Sequence, residues 1–153
     1  MRKVNFETIS SHRSAEESPG FLLWRASTLW RRAIEDVLKP LGLTHPQFVV
    51  LATVGWLTRT GNKVTQVEIG KQAALDPNTT SQILKGLEAK GLVERLRLTD
   101  ERSKHSTLTR TGVDKLKQAL PAVEKADAAF FSEVSPLKPE MLKVLQNLAM
   151  CAQ

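Results

Sequence analysis

The chain has 153 residues, of which 41% are hydrophobic and 25% are charged, as in an ordinary globular protein with a buried core. It has no apolar run near the roughly 18 residues that span a bilayer, and its polar N-terminus is unlike a secretory signal. The net charge of +6 favours a polyanionic partner only weakly, because many proteins carry a basic surface for solubility. We therefore expect a cytoplasmic protein that has no membrane segment.

Cysteine and histidine are too few to suggest a disulfide or a metal site. Cys151 is the only cysteine, and His12, His45 and His105 lack the spacing of metal ligands. The sequence has no phosphate-cradling glycine loop, no nucleophile elbow and no cluster of histidine with carboxylates. We expect no metal, no cofactor and no enzymatic activity.

Two helices are predicted after a polar arm formed by residues 1–18. From Pro19 to about Pro40, apolar residues recur at helical spacing. The main stripe of this helix is Leu22, Ala26, Leu29, Ala33 and Val37, and it is widened by Leu23, Trp30, Ile34 and Leu38. Thr44 caps a second helix that ends near Gly61 and is apolar around most of its surface. We expect the second helix to lie at the centre of the core.

Two short helices follow, and their order is that of a helix-turn-helix. Thr65 opens the first, in a capping box that Glu68 completes. Asp76 caps the second, with Pro77 at its first position and Gly91 beyond its end.

A β-hairpin and two helices complete the chain. Residues 92–98 alternate as a strand, and we place Leu92, Leu96 and Leu98 on one face and Arg95 and Arg97 on the other. A polar turn leads to a second strand near residues 106–108. Thr109 caps a long helix in which we expect Pro121 to cause a kink, and Pro136 and Pro139 introduce the last helix.

This order predicts a mainly α protein with a small β-hairpin wing, that is, a winged helix-turn-helix with helical extensions at both ends. We assign residues 1–18 to a flexible arm. Residues 19–43 and 113–153 form the predicted helical extensions, and residues 44–112 form the predicted DNA-binding lobe.

The second helix of the helix-turn-helix begins with short polar side chains, which suit the reading of bases in the major groove. The candidates are Asn78, Thr79, Thr80, Ser81 and Gln82, followed one turn later by Lys85. Gln82 can form two hydrogen bonds with adenine, and Lys85 can reach a phosphate. The alternative is that these residues are caps and solvated surface, which we accept for Asp76.

The hairpin adds positive charge beside this helix. Its candidates for phosphate contact are Arg95, Arg97, Arg102 and Lys104, next to His105. An arginine at the tip could also enter the minor groove. Asp100 lies two residues before Arg102, close enough to orient its guanidinium by a charge-assisted hydrogen bond. The alternative is a solvated turn with incidental charges.

From Leu41 to Gly112 the sequence resembles the MarR (multiple antibiotic resistance regulator) family. The resemblance rests on the stretch 43–48, on residues 73–95, and on Asp100-x-Arg102 followed by Leu108-Thr109-x-x-Gly112. It implies a homodimer on a pseudo-palindromic operator in double-stranded DNA, and often release by a small ligand. It also implies that the helices of residues 19–43 and 113–153 form a dimerisation lobe. By position it makes Ser81 and Gln82 the main base readers and Arg102 the wing-tip contact. Family members often have arginine where Gln82 stands, so the preferred bases are expected to differ.

Candidate surfaces for a partner and an effector lie outside the DNA lobe. Phe21, Trp24 and Thr28 lie off the main stripe of the first helix, and the last helix and Phe130-Phe131 are also candidates for a dimer surface. For Trp24, packing within its own chain is the alternative. An aromatic or phenolic effector would lie where the first, second and fifth helices meet, lined by Trp24, Arg31, His45 and Trp56. Trp56 as a core residue and His45 as a packing residue are the alternatives.

These observations together predict a ligand-responsive repressor that binds specific DNA. The alternative is a winged-helix module that binds another protein and has no specific DNA site.

Overall fold

The computed structural model describes residues 3–97 and 104–150, and these contain six α-helices and a small antiparallel sheet. The helices are α1 (Pro19–Leu38), α2 (His45–Thr58), α3 (Gln66–Ala73), α4 (Pro77–Ala89), α5 (Arg110–Phe130) and α6 (Lys138–Met150). The strands are β1 (Val64–Thr65), β2 (Val93–Arg97) and β3 (Lys104–Leu108). Short 3-10 turns occur at Phe6–Thr8, Ala15–Glu17, Lys39–Leu41 and Ser132–Leu137. The order of elements confirms the predicted winged helix with helical extensions.

The sheet has the strand order β1–β3–β2, and both pairs of strands are antiparallel. β2 and β3 form the hairpin, from Val93 opposite Leu108 to Arg97 opposite Lys104. β1 was not predicted. It is only two residues long, too short for an alternating pattern, and it exists because Val64 pairs with Ser106 far along the chain.

The helix starts match the sequence predictions. Thr44 with Gln47 and Thr65 with Glu68 form complete capping boxes, and Thr109 caps α5. Hydrogen bonds from the backbone N–H and the hydroxyl of Thr65 lower the pKa of the Glu68 carboxyl. Helix α5 runs continuously through Pro121.

The core is one continuous cluster that joins the helical extensions to the winged helix. Val50, Leu51 and Val54 of α2 are fully buried, so this helix is central as predicted. Ile34 of α1 and Val123 of α5 belong to the same cluster. Within residues 3–97 and 104–150, no helix combines the length and the apolar character needed to cross a membrane.

Only the C-terminal half of α1 is buried in the chain. Ile34 and Leu38 are fully buried, whereas Leu22 and Leu29 of the predicted main stripe are 44% and 48% exposed. The first half of this stripe is therefore not covered within one chain. Periodicity identifies an apolar face, but it does not show whether the same chain covers that face.

The leucines of the first wing strand do not share a buried face. Val93 is buried and Arg95 is half-buried, whereas Leu96 is 47% exposed. Leu92 is buried in the turn just past the end of α4, where its N–H donates to Leu87 O at 3.0 Å across Gly91, whose φ is +66°. The strand therefore begins at Val93, one residue later than its leucines suggested.

The base of the wing packs tightly against the start of α5. Thr109 N–H donates to Leu92 O at 3.1 Å. A Cβ added at Gly112 would lie 1.9 Å from the same carbonyl oxygen, so the two backbones touch here. This contact fixes the position of β2 against α5.

Candidate nucleic-acid interface

The two helices of the helix-turn-helix cross at Gly70 and Thr80. A Cβ added at Gly70 would lie 2.9 Å from Thr80 Oγ1 and 3.1 Å from Leu75 O. The turn between the helices passes through Ala74 in the left-handed region, with φ of +52°. The close crossing sets the angle at which α4 leaves the body of the protein.

Asp76 and Thr79 together form the cap of α4. The Asp76 carboxylate accepts from the N–H groups of Asn78 and Thr79 at 3.0 Å each, and from the Thr79 hydroxyl at 2.5 Å. The hydrogen bond from the Thr79 hydroxyl is the largest cause of the lowered pKa of Asp76, followed by the Thr79 amide. The hydroxyl that we predicted to face DNA is thus held by the cap.

Thr80 does not face outward, and its predicted contact with DNA is wrong. Its side chain is fully buried, and its hydroxyl donates to Asp76 O at 2.8 Å. The reason is helical phase: Thr80, Leu84 and Leu87 are spaced i, i+4, i+7 and form the buried face of α4.

Three predicted residues do form the outward face of α4. Asn78, Gln82 and Lys85 are exposed and are also spaced i, i+4, i+7, so they line one side of the helix. We call these three residues the outer stripe. Ser81 is half-buried beside it. Donors and acceptors on one exposed helix face can meet base edges and phosphates in a major groove.

Arg95 does not extend from the wing as a free cation. It is half-buried, and one terminal guanidinium nitrogen donates to Gln66 Oε1 at 3.0 Å. Its Nε is buried with no hydrogen-bond partner among the described residues. The guanidinium of Arg95 thus has an internal partner in α3.

Lys104 is exposed at the start of β3, where a phosphate could reach it. Of Arg97 the structure describes only the backbone, opposite Lys104. The predictions for Asp100 and Arg102, for Leu98 and for Cys151 lie outside the described residues.

Two residues that sequence reasoning did not single out hold α4 at its ends. Gln66 Nε2 donates to Pro77 O at 3.1 Å at the start of the helix. Lys90 Nζ donates to Gly42 O and to Gln47 Oε1, each at 2.7 Å, at its end. These bonds join residues 11 to 48 positions apart, so no local pattern signals them.

A polar and aromatic cluster lies where α1, α2 and α5 meet. Trp30 Nε1 donates to Asp127 Oδ1 at 2.6 Å, and the Trp30 ring meets the His45 ring edge-on at 5.0 Å. His45 is 8% exposed, and burial lowers its pKa; nearby Glu35 opposes this shift and Arg31 adds to it. His45 thus packs against Trp30 inside the chain.

The four predicted effector residues do not form one pocket within a chain. Arg31 is near His45, but Trp24 and Trp56 are 66% and 58% exposed, and the Arg59 guanidinium lies 3.7 Å over the Trp56 ring. His45 and Trp56 lie near opposite ends of α2, roughly 16 Å apart at 1.5 Å per residue. Trp56 is also not a core residue, the alternative that we had weighed. In the part of the chain that the structure describes, no three side chains of His, Cys, Asp or Glu gather to hold a metal ion.

Comparison with known proteins agrees with this geometry. The sequence model of the MarR family matches residues 43–104. An uncharacterized HTH-type transcriptional regulator of Bacillus subtilis, YdcH, is 38% identical over 132 residues, which are 86% of this chain and 89% of YdcH. The HTH-type transcriptional repressor Rv2887 of Mycobacterium tuberculosis is 31% identical over 137 residues, 88% of this chain and 96% of the repressor.

Solved structures show the same fold. Rv2887 in complex with p-aminosalicylic acid superposes with a TM-score of 0.66 at 30% identity, covering 86% of this chain and 98% of that chain. The M. tuberculosis regulator MOSR in complex with DNA superposes with a TM-score of 0.74 at 26% identity, covering 89% of this chain and 96% of that chain.

The fold is that of a winged helix-turn-helix transcription regulator that binds DNA. The chain belongs to the MarR family, which confirms the resemblance inferred from its motifs. Its relatives are transcription regulators.

Proposed function

We propose that this chain represses transcription by binding a pseudo-palindromic operator as a homodimer, with α4 of each protomer in a major groove. The observation that carries the proposal is the outer stripe, which lies on a helix anchored at both ends. Gln66 holds the start of α4 and Lys90 holds its end. A helix fixed in this way can present Asn78, Gln82 and Lys85 without further ordering on binding.

The proposed contacts differ in kind along the interface. Gln82, with Ser81 beside it, reads base edges, and Asn78 is near enough to the helix start to contribute. Lys85 and Lys104 contact phosphates, and Arg97 and Arg102 extend this contact along the wing, with Asp100 orienting Arg102. Thr79, Thr80 and Arg95 support the fold and are not included.

Selection of bound genomic fragments, followed by footprinting, tests this proposal. We expect the purified protein to protect a palindromic site in the presence of competitor DNA. The logarithm of the binding constant should fall linearly with the logarithm of the salt concentration, and each neutralised phosphate should add about 0.9 to the slope. A protein that shows no preference among fragments would contradict the proposal and would favour a winged helix that binds another protein.

The homodimer is proposed from an apolar surface that the chain leaves uncovered. Leu23 and Trp24 in the first half of α1 are 56% and 66% exposed, and α6 exposes Leu145 and Leu148 at 42% and 57%. We assign this surface to a dimerisation lobe formed by residues 19–43 and 113–153, with residues 44–112 as the DNA lobe and 1–18 as an arm. Large apolar surfaces of this kind mark partner interfaces, and members of the family are dimers.

Analytical ultracentrifugation tests this assignment, because it measures the oligomeric state. We expect a dimer of the full chain at micromolar concentration, and a shift toward monomer when Leu145→Glu and Leu148→Glu are combined. Exposed Val67→Glu on α3 is the matched control, since it adds one of the same charges outside the surface. A wild-type monomer at these concentrations would contradict the homodimer.

Release by an aromatic or phenolic acid is proposed at the junction of α1, α2 and α5. Arg31 and His45 are the retained effector candidates within one chain, and Trp24 lies two turns before Arg31 on the same helix. Support comes from the Rv2887 complex with p-aminosalicylic acid. Titration of the operator complex with substituted benzoates tests it. We expect release from wild type and a weaker response from Arg31→Ala, and equal responses would contradict this site.

We further propose that the protein acts in the cytoplasm, where its DNA target is, and that it performs no catalysis. The regulatory relatives support this view.

A further inference from the structure

One side chain connects the wing to the helix that carries the outer stripe. Gln66 is the first residue of α3, and its amide oxygen accepts from Arg95 of β2 at 3.0 Å. Its amide nitrogen donates to the carbonyl of Pro77, the first residue of α4, at 3.1 Å. The two parts of the DNA interface are thus joined through a single amide group.

We infer that Gln66 is a positioning residue for DNA binding, which sets the orientation of the wing relative to α4 without contacting DNA itself. The inference rests on the proposed function, because it concerns how the proposed interface is assembled. It accounts for a feature that the function leaves unexplained, namely that Arg95 turns toward α3 and not toward solvent.

The chemistry of the bridge requires an amide. Arg95 offers only donors and the Pro77 carbonyl offers only an acceptor, so the connecting group must accept at one atom and donate at the next. Glutamine does both at the right reach. Glutamate would keep the bond to Arg95 but would place a carboxylate oxygen against the Pro77 carbonyl.

The surroundings of Arg95 make the bond to Gln66 important. Arg95 lies opposite Ser106 on β3, which is 2% exposed. Arg95 Nε and Ser106 Oγ are both buried without a partner in the described part of the chain, so Gln66 supplies the guanidinium with a hydrogen bond in a poorly solvated place. A guanidinium that loses such a partner moves toward water, and the wing strand would move with it.

DNA affinity and replacement of single operator phosphates separate positioning from direct contact. We expect Gln66→Leu and the shorter Gln66→Asn to bind the operator roughly 5- to 20-fold more weakly. Gln72→Leu on the exposed side of α3 is the matched control and should bind within about twofold of wild type. Because glutamine is neutral, direct contact is tested by replacing the operator phosphates one at a time with methylphosphonates. A replacement that weakens binding of wild type but not of Gln66→Leu would show that Gln66 contacts that phosphate, and would overturn the inference.

A double variant tests whether the two residues act through one bond. Arg95→Met should weaken binding like Gln66→Leu, and the combined variant should be no weaker than either one, because both changes remove the same connection. If the fold-losses in DNA affinity of the two single variants multiplied in the combined variant, the two residues would not act through one bond.

Hydrogen exchange without DNA gives a separate result. In Gln66→Asn, which keeps a polar amide if the leucine variant fails to fold, amides of β2 and of the first turn of α4 should exchange several-fold faster than in wild type. Unchanged exchange at both places would overturn the inference. Failure of wild type to bind any specific DNA, with faster exchange in the variant, would instead reject the proposed function and leave the bridge established.

Discussion

The indole N–H of Trp30 donates to the Asp127 carboxylate at 2.6 Å, and this bond joins α1 to α5 across 97 positions of sequence. The same indole ring meets the buried ring of His45 edge-on, at 73° between the ring planes. One tryptophan therefore connects both helical extensions to the first turn of α2. Four residues later, the chain enters the core at Ile34, which is fully buried.

Trp30→Phe should destabilise the protein, because it keeps most of the ring but leaves the half-buried Asp127 carboxylate without its donor. We expect a loss of about 1–3 kcal/mol in the free energy of unfolding, the range for a hydrogen bond to a charged group. Chemical denaturation at fixed protein concentration measures it. Trp56→Phe makes the same change at an exposed site and should cost no more than about 0.5 kcal/mol. Equal effects of the two changes would show that the bond to Asp127 contributes nothing.

The stability of the fold should depend on His45 in mildly acidic solution. Burial lowers the pKa of His45 in the folded chain, so the unfolded chain binds this proton at a higher pH than the folded chain does. The contribution of neutral His45 to stability is therefore fully present above the ordinary histidine pKa of about 6.5. It is lost as the pH falls below that value and through the lowered pKa of the folded chain. The free energy of unfolding measured from pH 8 to 5 should decrease, and His45→Gln should flatten the decrease.

His12→Gln, at an exposed position, is the control and should leave the pH profile of wild type unchanged. The carboxyl groups of Asp76 and Glu68 have lowered pKa values, so their contributions to stability are lost only at pH values below this window. If the free energy of unfolding of His45→Gln decreased with pH as steeply as that of wild type, another group would be responsible for the decrease.

Gly112→Ala should disrupt the junction between the wing and α5. The added methyl carbon would lie 1.9 Å from Leu92 O, and a backbone oxygen cannot move aside as the end of a side chain can. We expect a loss of at least about 2–3 kcal/mol or failure to fold, measured by thermal unfolding. Gly20→Ala is the matched control: it has no atom within 4 Å and should be neutral or slightly stabilising. A stable Gly112→Ala variant would show that the backbones separate easily here.

Gln82→Ala should change the base preference of the protein, since Gln82 is the exposed amide at the centre of the outer stripe. We expect a cost of about 1–3 kcal/mol at one position of each half-site and relaxed selection there, measured by binding to a set of single-base operator variants. Lys85→Ala is the comparison within the same stripe. It should weaken all sequences alike and reduce the salt slope by about 0.9. If Gln82→Ala weakened binding to all operator variants equally, Gln82 would be assigned to the DNA backbone and not to a base.

Local chemistry is what could be read directly from the sequence. Thr44, Thr65 and Asp76 cap their helices by bonding backbone groups two or three residues away, so each start is determined within one turn of chain. The order of helices and wing follows from such signals. The exposed stripe of α4 lies within the predicted run of residues 78–85. Thr80 is the exception, because its helical phase places it on the buried face.

Only the tertiary structure decided which side chains far apart in the sequence contact each other. The sequence could not show that Arg95 turns inward to Gln66, 29 positions away, or that Trp30 reaches Asp127. Nor could it show that the first half of α1 is uncovered within one chain. Such contacts depend on how the packed helices and strands approach one another, which is set by the whole core. A local sequence pattern depends only on residues that are close along the chain, so it cannot predict contacts with residues that are distant in the sequence.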